Sequence, residues 1–268
     1  MKKALLWRAT ILLVCAAVLA SIFLAVAVFF VTTATGQSLD QRAFNGAFLG
    51  QRTVGPVALT LLDALPITGV AVAVVLAILV TIVRRNWWVL VAALVTAGVA
   101  NIATQAIKNV FLERPDLGVV GYAVNSLPSG HTTLAASAAL IVFLVSSQRT
   151  RPMVSALGAL FATSIGVSTL ANQWHRPSDV VAAFLLVSLF GCLAGFVLIW
   201  FRFTDEAPKR DLLSRLLLLL ALPCAGLALL TVFVSGFSAI AYIGSAAGIA
   251  TVALLLAAGA NHAFRFLR

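Results

Sequence analysis

Apolar residues run in long stretches along this chain, and polar residues gather in the short segments between them. A helix that crosses a bilayer needs about 20 apolar residues. Eight stretches suit such helices: Ala9–Thr33, Val57–Val83, Trp87–Ile107, Thr132–Ser147, Met153–Ala171, Val180–Phe201, Leu212–Val234 and Ala239–Ala263. The fourth is short, and Asp63 and Pro66 interrupt the second. Because the alternating pattern of a membrane β-barrel is absent, the sequence predicts an all-α, polytopic transmembrane helical bundle.

Composition excludes several other classes of protein. Of 268 residues, 62% are hydrophobic and only 10% are charged, whereas soluble domains average about 45–50% and about 25%. A disordered chain, a collagen-like chain and an ordinary soluble enzyme are therefore not expected. The Ala- and Val-rich, Lys-poor composition is typical of a bacterium with a GC-rich genome, which points to a plasma (inner) membrane.

The basic residues predict an orientation. Lys and Arg number 18 against 8 Asp and Glu, a net charge of +10. With both termini in the cytoplasm, 13 of the 18 lie inside, as expected for cytoplasmic loops. The outer side keeps Arg42, Arg52, Lys108, Arg114 and Arg176. The excess of basic residues is then explained by the orientation of the chain in the membrane, and we expect no nucleic-acid partner.

Three polar segments on the predicted outer side carry candidate chemistry. They are Lys108 to Asp116 after the third span, Pro128-Ser129-Gly130-His131 at the start of the fourth, and His175-Arg176-Pro177-Ser178-Asp179 at the start of the sixth. An ammonium and a guanidinium, as in Lys108 and Arg114, suit phosphate oxygens. Ser129 and Gly130 precede a helix, whose unpaired N–H groups also favour an anion.

Two histidines complete these segments. Asp179 lies one helical turn after His175, so it can hold one ring nitrogen as N–H and leave the other free as a nucleophile or base. His131 supplies a second imidazole that can donate a proton. The chain has no CxxC or HExxH motif and only three scattered histidines, so we predict no metal site and no cofactor.

These motifs resemble those of the type 2 phosphatidic acid phosphatases, or lipid phosphate phosphatases, which share their site with vanadium haloperoxidases. The family shows Lys then Arg-Pro, a Pro-Ser-Gly-His, and Ser-Arg followed by His and, four residues on, Asp. The matching residues are Lys108, Arg114-Pro115, Pro128-Ser129-Gly130-His131, Ser168, His175 and Asp179. The resemblance covers about Ala9 to Phe201, the six-helix core of the family.

The resemblance implies a role for each matching residue. His175 is expected to attack phosphorus and form a phosphohistidine, which water then hydrolyses. Asp179 is expected to orient His175, and His131 to protonate the leaving group. The residues expected to hold the phosphoryl oxygens are Lys108, Arg114, Ser129 and Gly130.

The chain departs from the family pattern twice. Five residues separate Lys108 from Arg114 instead of six, so Lys108 must act from a loop or a distorted helix end, because one residue turns a helix by about 100°. Thr169 stands where the family has Arg, so among the residues expected to bind the phosphate a neutral hydroxyl replaces a charged donor. The hypothesis is that the outer cation Arg176 substitutes for that arginine.

The expected function is metal-independent hydrolysis of a lipid phosphate or diphosphate at the outer leaflet, with polyprenyl diphosphate, phosphatidylglycerophosphate and phosphatidic acid as candidates. Alternatives are a phosphotransferase of the same fold and a non-catalytic lipid transporter or flippase. We expect a six-span core at 1–203, a cytoplasmic linker at 204–211 and two further spans of unknown role at 212–268. The sequence leaves the oligomeric state open.

Overall fold

The protein is an all-α bundle, as predicted, and 85% of the residues that the structure describes are helical. The computed structural model describes residues 2–121, 124–202, 204, 212–234 and 238–267. The helices are α1 (Lys2–Thr32), α2 (Ala34–Gly46), α3 (Phe48–Arg84), α4 (Trp87–Ala106), α5 (Gly130–Val145), α6 (Arg151–Ala171), α7 (Pro177–Arg202), α8 (Leu212–Phe233) and α9 (Ser238–Phe264). A short π-helix, Ile107–Phe111, extends α4.

The helices have the length and surface of membrane spans. Among the described residues, six are long and apolar enough to cross a membrane: α1, α4 with its π-helix, α6, α7, α8 and α9. Thr68–Arg84 and Gly130–Val145 are shorter apolar helices. Large apolar side chains such as Leu24, Leu160 and Leu219 are exposed, which suits contact with lipid hydrocarbon. These features are those of a membrane protein.

Helix α2 was not among the predicted elements, because it is too short and too polar to span a bilayer. The Thr33 hydroxyl caps it by accepting the Gly36 N–H at 3.0 Å. The helix packs against α1, α7 and α9. Gly46 allows the close approach to α9, since a Cβ there would overlap the Ser238 carbonyl. The fully buried Asp40 lies in the middle of α2.

Helix α9 packs into the same core as the helices of the predicted phosphatase region. Tyr242, Ile249 and Ala253 form one cluster with Ile165 of α6 and Val180 of α7. Helix α8 contacts mainly α9. Apart from Thr204, the predicted linker at 204–211 lies outside the described residues, so the boundary at 203 stays a prediction.

Candidate active site

Segments far apart in sequence meet at one end of the bundle. Both α5 and α7 begin there, after Ser129 and after Arg176. The Ser129 N–H donates to the Asp179 carbonyl at 2.9 Å, which joins the two helix starts directly. The positive ends of two helix dipoles therefore lie together, in an arrangement that favours an anion.

His175 and Asp179 form a buried pair, with 6% and 2% of their surfaces exposed. His175 Nδ1 lies 3.2 Å from Asp179 Oδ2. The same oxygen accepts hydrogen bonds from the Ser126 hydroxyl at 2.6 Å and the Arg176 N–H at 2.9 Å. A carboxylate held in this way favours the tautomer with hydrogen on Nδ1, so Nε2 keeps its lone pair.

The second imidazole lies beside this pair. The ring centroids of His131 and His175 are 6.4 Å apart, with an interplanar angle of 66°. His131 is half-buried and its ring is 5.3 Å from that of Trp174. Reacting atoms in a productive complex approach to about 3–3.5 Å, so two rings at this centroid distance can both reach one small group that lies beside them. The spacing therefore suits one phosphoryl group between the rings.

Lys108 lies in the π-helix, which is the kind of distorted helix end that its spacing from Arg114 required. The Leu112 N–H donates to the Ile107 carbonyl at 3.0 Å, five residues back. The Asn125 amide donates to the carbonyls of Lys108 and Leu112 at 3.2 and 2.9 Å. This loop residue fixes the segment, and the half-buried Lys108 lies within electrostatic reach of His131.

Two guanidinium groups lie near each other at the site. Arg114 is half-buried and donates to the Phe30 carbonyl at 3.4 Å. Burial, and then the Arg176 cation, lower the pKa of Arg114, while Asp40 and Asp179 oppose that change. Because like charges repel, an anion that binds near both guanidiniums is stabilised.

Ser129 and Gly130 form the start of α5 that the sequence analysis assigned to phosphate binding. The Ser129 hydroxyl accepts the Thr132 N–H at 3.3 Å and so caps the helix. At Gly130, a Cβ would meet only the Gln105 side chain, at 3.4 Å. The backbone at Gly130 is therefore open to close approach by a ligand.

Thr169 and Arg176 differ in the hydrogen bonds that their side chains make at the site. The buried Thr169 hydroxyl donates to the Gly166 carbonyl at 2.7 Å, within its own helix. The Arg176 guanidinium donates to Ser126 Oγ at 3.0 Å and to the Val124 carbonyl at 3.4 Å. Arg176 thus binds the same serine whose hydroxyl donates to the Asp179 carboxylate. For both residues, the assignment to phosphate binding stays a prediction.

Asp40 is a residue that the sequence reasoning missed. The Ser178 N–H donates to its carboxylate at 3.1 Å, and the Ser178 hydroxyl donates to the other oxygen. Burial, and then repulsion by Asp179, raise the pKa of Asp40 to about 7, although the Ser178 hydrogen bonds and Arg176 lower it. A lone acid in a polar segment between two spans was the signal that the sequence offered.

The candidate site is made of two imidazoles, the cationic side chains of Lys and Arg, and two carboxylates. Within the described residues, no three His, Cys, Asp or Glu side chains lie together as a metal-ligand set would require.

Comparison with models of protein families gives a match. The model of the PAP2 superfamily matches residues 87–206, from the start of α4 to beyond the end of α7. Every site residue that the sequence analysis proposed, from Lys108 to Asp179, lies in this range, whereas Asp40 lies before it. No curated protein and no solved structure matches the chain.

Proposed function

The chain belongs to the PAP2 superfamily, and on this premise we propose that it is a membrane lipid phosphatase acting through a phosphohistidine. The superfamily consists generally of phosphatases, so membership supports hydrolysis of phosphate esters. The observation that carries the finer proposal is the buried His175–Asp179 pair with the His131 ring 6.4 Å away.

In the proposed mechanism, Nε2 of His175 attacks phosphorus, and the bond from phosphorus to the leaving oxygen breaks. His131 gives its proton to that oxygen, so an alcohol or a phosphate departs. Water then attacks the phosphohistidine while His131 takes up a proton, and inorganic phosphate is released. Lys108, Arg114 and the N–H groups at the start of α5 stabilise the charge on the phosphoryl oxygens.

We place the site at headgroup depth on the extracytoplasmic face of a plasma membrane, with both termini in the cytoplasm. The distribution of Lys and Arg supports this orientation, since 13 of 18 fall on the other side. A lipid can keep its chains in the bilayer while its phosphate enters the cationic end of the bundle. The proposed substrates are polyprenyl diphosphate, phosphatidylglycerophosphate and phosphatidic acid.

A phosphate-release assay on the purified full chain tests this proposal. Each of the three lipids is presented in mixed micelles without an added acceptor or metal, and a His175→Ala variant serves as the blank. We expect release of inorganic phosphate from at least one lipid, at a rate that EDTA leaves unchanged. Loss of activity in EDTA contradicts the metal-free mechanism. Phosphate transfer that requires an added acceptor indicates a phosphotransferase instead.

Arg176→Ala tests whether this cation replaces the arginine that the family has at position 169. The variant removes a charged donor near the site, a loss of about 1.5–3 kcal/mol, so kcat/KM should fall by roughly 10- to 100-fold. Arg176→Lys, which keeps the charge but loses the planar fork, should recover part of that loss. Full turnover and unchanged substrate affinity in Arg176→Ala would remove Arg176 from the proposal.

A further inference from the structure

Helix α7 lacks an N-cap side chain that can accept its free N–H groups, although Asp179 accepts the N–H of Arg176. The residue before the helix is Arg176, whose side chain has no acceptor atom, so it cannot bind the free N–H groups of that turn. Pro177 has no N–H, and the first free donor is that of Ser178. Asp40, 138 positions earlier in the chain, accepts that N–H at 3.1 Å and also binds the Ser178 hydroxyl.

We propose that Asp40 is a positioning residue of the active site, which caps α7 from a neighbouring helix and thereby fixes the turn that carries Asp179 and His175. The proposal rests on the proposed function, because the exact place of His175 matters only if that ring attacks phosphorus. Asp40 itself does not touch the substrate. It acts through Ser178, which directly precedes the carboxylate bound to His175.

Helix α2 holds Asp40 in a defined place because it is tied to the site on both sides. Near its start, the Gln37 amide donates to the Pro115 carbonyl at 2.9 Å, next to Arg114. Near its end, the Phe44 carbonyl accepts a hydrogen bond from the Gln173 amide at 3.0 Å, two residues before His175. The helix therefore connects the loop that carries Arg114 with the turn that carries His175.

Several charges surround the Asp40 carboxylate. From the start of α7 come Asp179 and Arg176, and from the loop after α4 comes Arg114. Asp40 and Arg42 of α2 both line a cavity of about 570 Å³. The described residues of α1, α8 and α9 that line this cavity have no titratable side chain. Asp179 raises the pKa of Asp40 and Arg176 lowers it, so these two effects partly cancel. Burial is the first reason that the pKa of Asp40 is raised to about 7.

This environment gives Asp40 a predictable effect on the pH profile. As pH rises through about 7, Asp40 gains a negative charge beside the His175–Asp179 pair. Positive charge builds up on the His175 ring as Nε2 bonds to phosphorus, and a nearby anion stabilises it. The wild type should therefore gain a step in turnover across this range relative to variants in which residue 40 cannot ionise.

The experiment compares Asp40→Ala, Asp40→Asn, Ser178→Ala and a control, Asp116→Asn, in steady-state phosphate release from one lipid between about pH 5 and about pH 9. Asp116 is an exposed acid in the loop after α4, so its variant carries the same chemical change. We expect Asp40→Ala to lower kcat by about 10- to 100-fold with KM little changed. Asp40→Asn should recover much of this loss, because an amide can still pair with Ser178, but without the step near pH 7.

The outcomes separate this proposal from the proposed function. If the wild type and Asp116→Asn are active and Asp40→Ala matches them at every pH, the positioning role is overturned while the phosphatase stands. Titration of the substrate phosphate changes the pH profiles of all the variants in the same way. The test is therefore the difference between the pH profile of each variant and that of Asp116→Asn. If Asp40→Ala does not fold, Asp40→Asn carries the test, because a kcat and a pH profile equal to those of Asp116→Asn in that variant also overturn the proposal. A wild type inactive on every lipid overturns both.

Discussion

Replacing His175 with asparagine is expected to reduce phosphate release by on the order of 10⁴-fold or more. The amide can still pair with Asp179, but it has no nitrogen lone pair able to attack phosphorus. Lys108 and Arg114 remain, so substrate affinity should change little. The measurement is kcat for phosphate release, together with binding of the same lipid to the variant.

His262 provides the matched control for this substitution. It is the third histidine of the chain, exposed near the end of α9, away from the start of α7. His262→Asn should keep the wild-type rate. A His175→Asn variant that still releases phosphate would end the phosphohistidine proposal. If that variant instead moves lipid between leaflets as well as the wild type does, the transporter alternative gains support.

His131→Ala should slow hydrolysis of an alkyl lipid phosphate by about 10²–10⁴-fold, the usual contribution of a general acid. An aryl phosphate has a leaving group that departs without a proton, so its phosphorylation of His175 should be affected far less. The measurement is the rate of leaving-group release in a single turnover with each type of substrate.

A general acid is identified by a larger loss of rate with the alkyl phosphate than with the aryl phosphate. Trp174→Phe, which changes the ring beside His131 without removing the imidazole, is the control and should slow both substrates to the same extent. Equal losses with alkyl and aryl substrates in His131→Ala would mean that His131 positions the substrate and does not protonate it.

The membrane helices could be predicted from sequence because each depends on a long local run of apolar residues. Trp87–Ile107 and Val180–Phe201, for example, fall within the helical segments Trp87–Phe111 and Pro177–Arg202. The five residues between Lys108 and Arg114 also allowed a prediction from local sequence, namely that Lys108 lies in a loop or a distorted helix end. It lies in the π-helix.

The polar contacts that support the site could not be predicted in the same way. Asp40 binds Ser178, and Ser126 binds Asp179, across 138 and 53 positions of sequence. Single Asp and Ser residues occur in many loops, and no periodicity links such partners. Helix α2 was missed for a related reason, because a short helix buried by its neighbours does not show the apolar run of a membrane span.

Detection of the phosphohistidine itself tests the proposed chemistry most directly. His131→Ala should form the intermediate from an aryl phosphate but hydrolyse it slowly, because no base activates the water. The reaction is quenched in alkali, since phosphohistidine is labile in acid, and the modified residue is located by tandem mass spectrometry. We predict phosphate on His175 and none in the His131→Ala/His175→Asn double variant. Phosphate on another residue, or leaving-group release with no phosphoenzyme at any time, would contradict the role of His175.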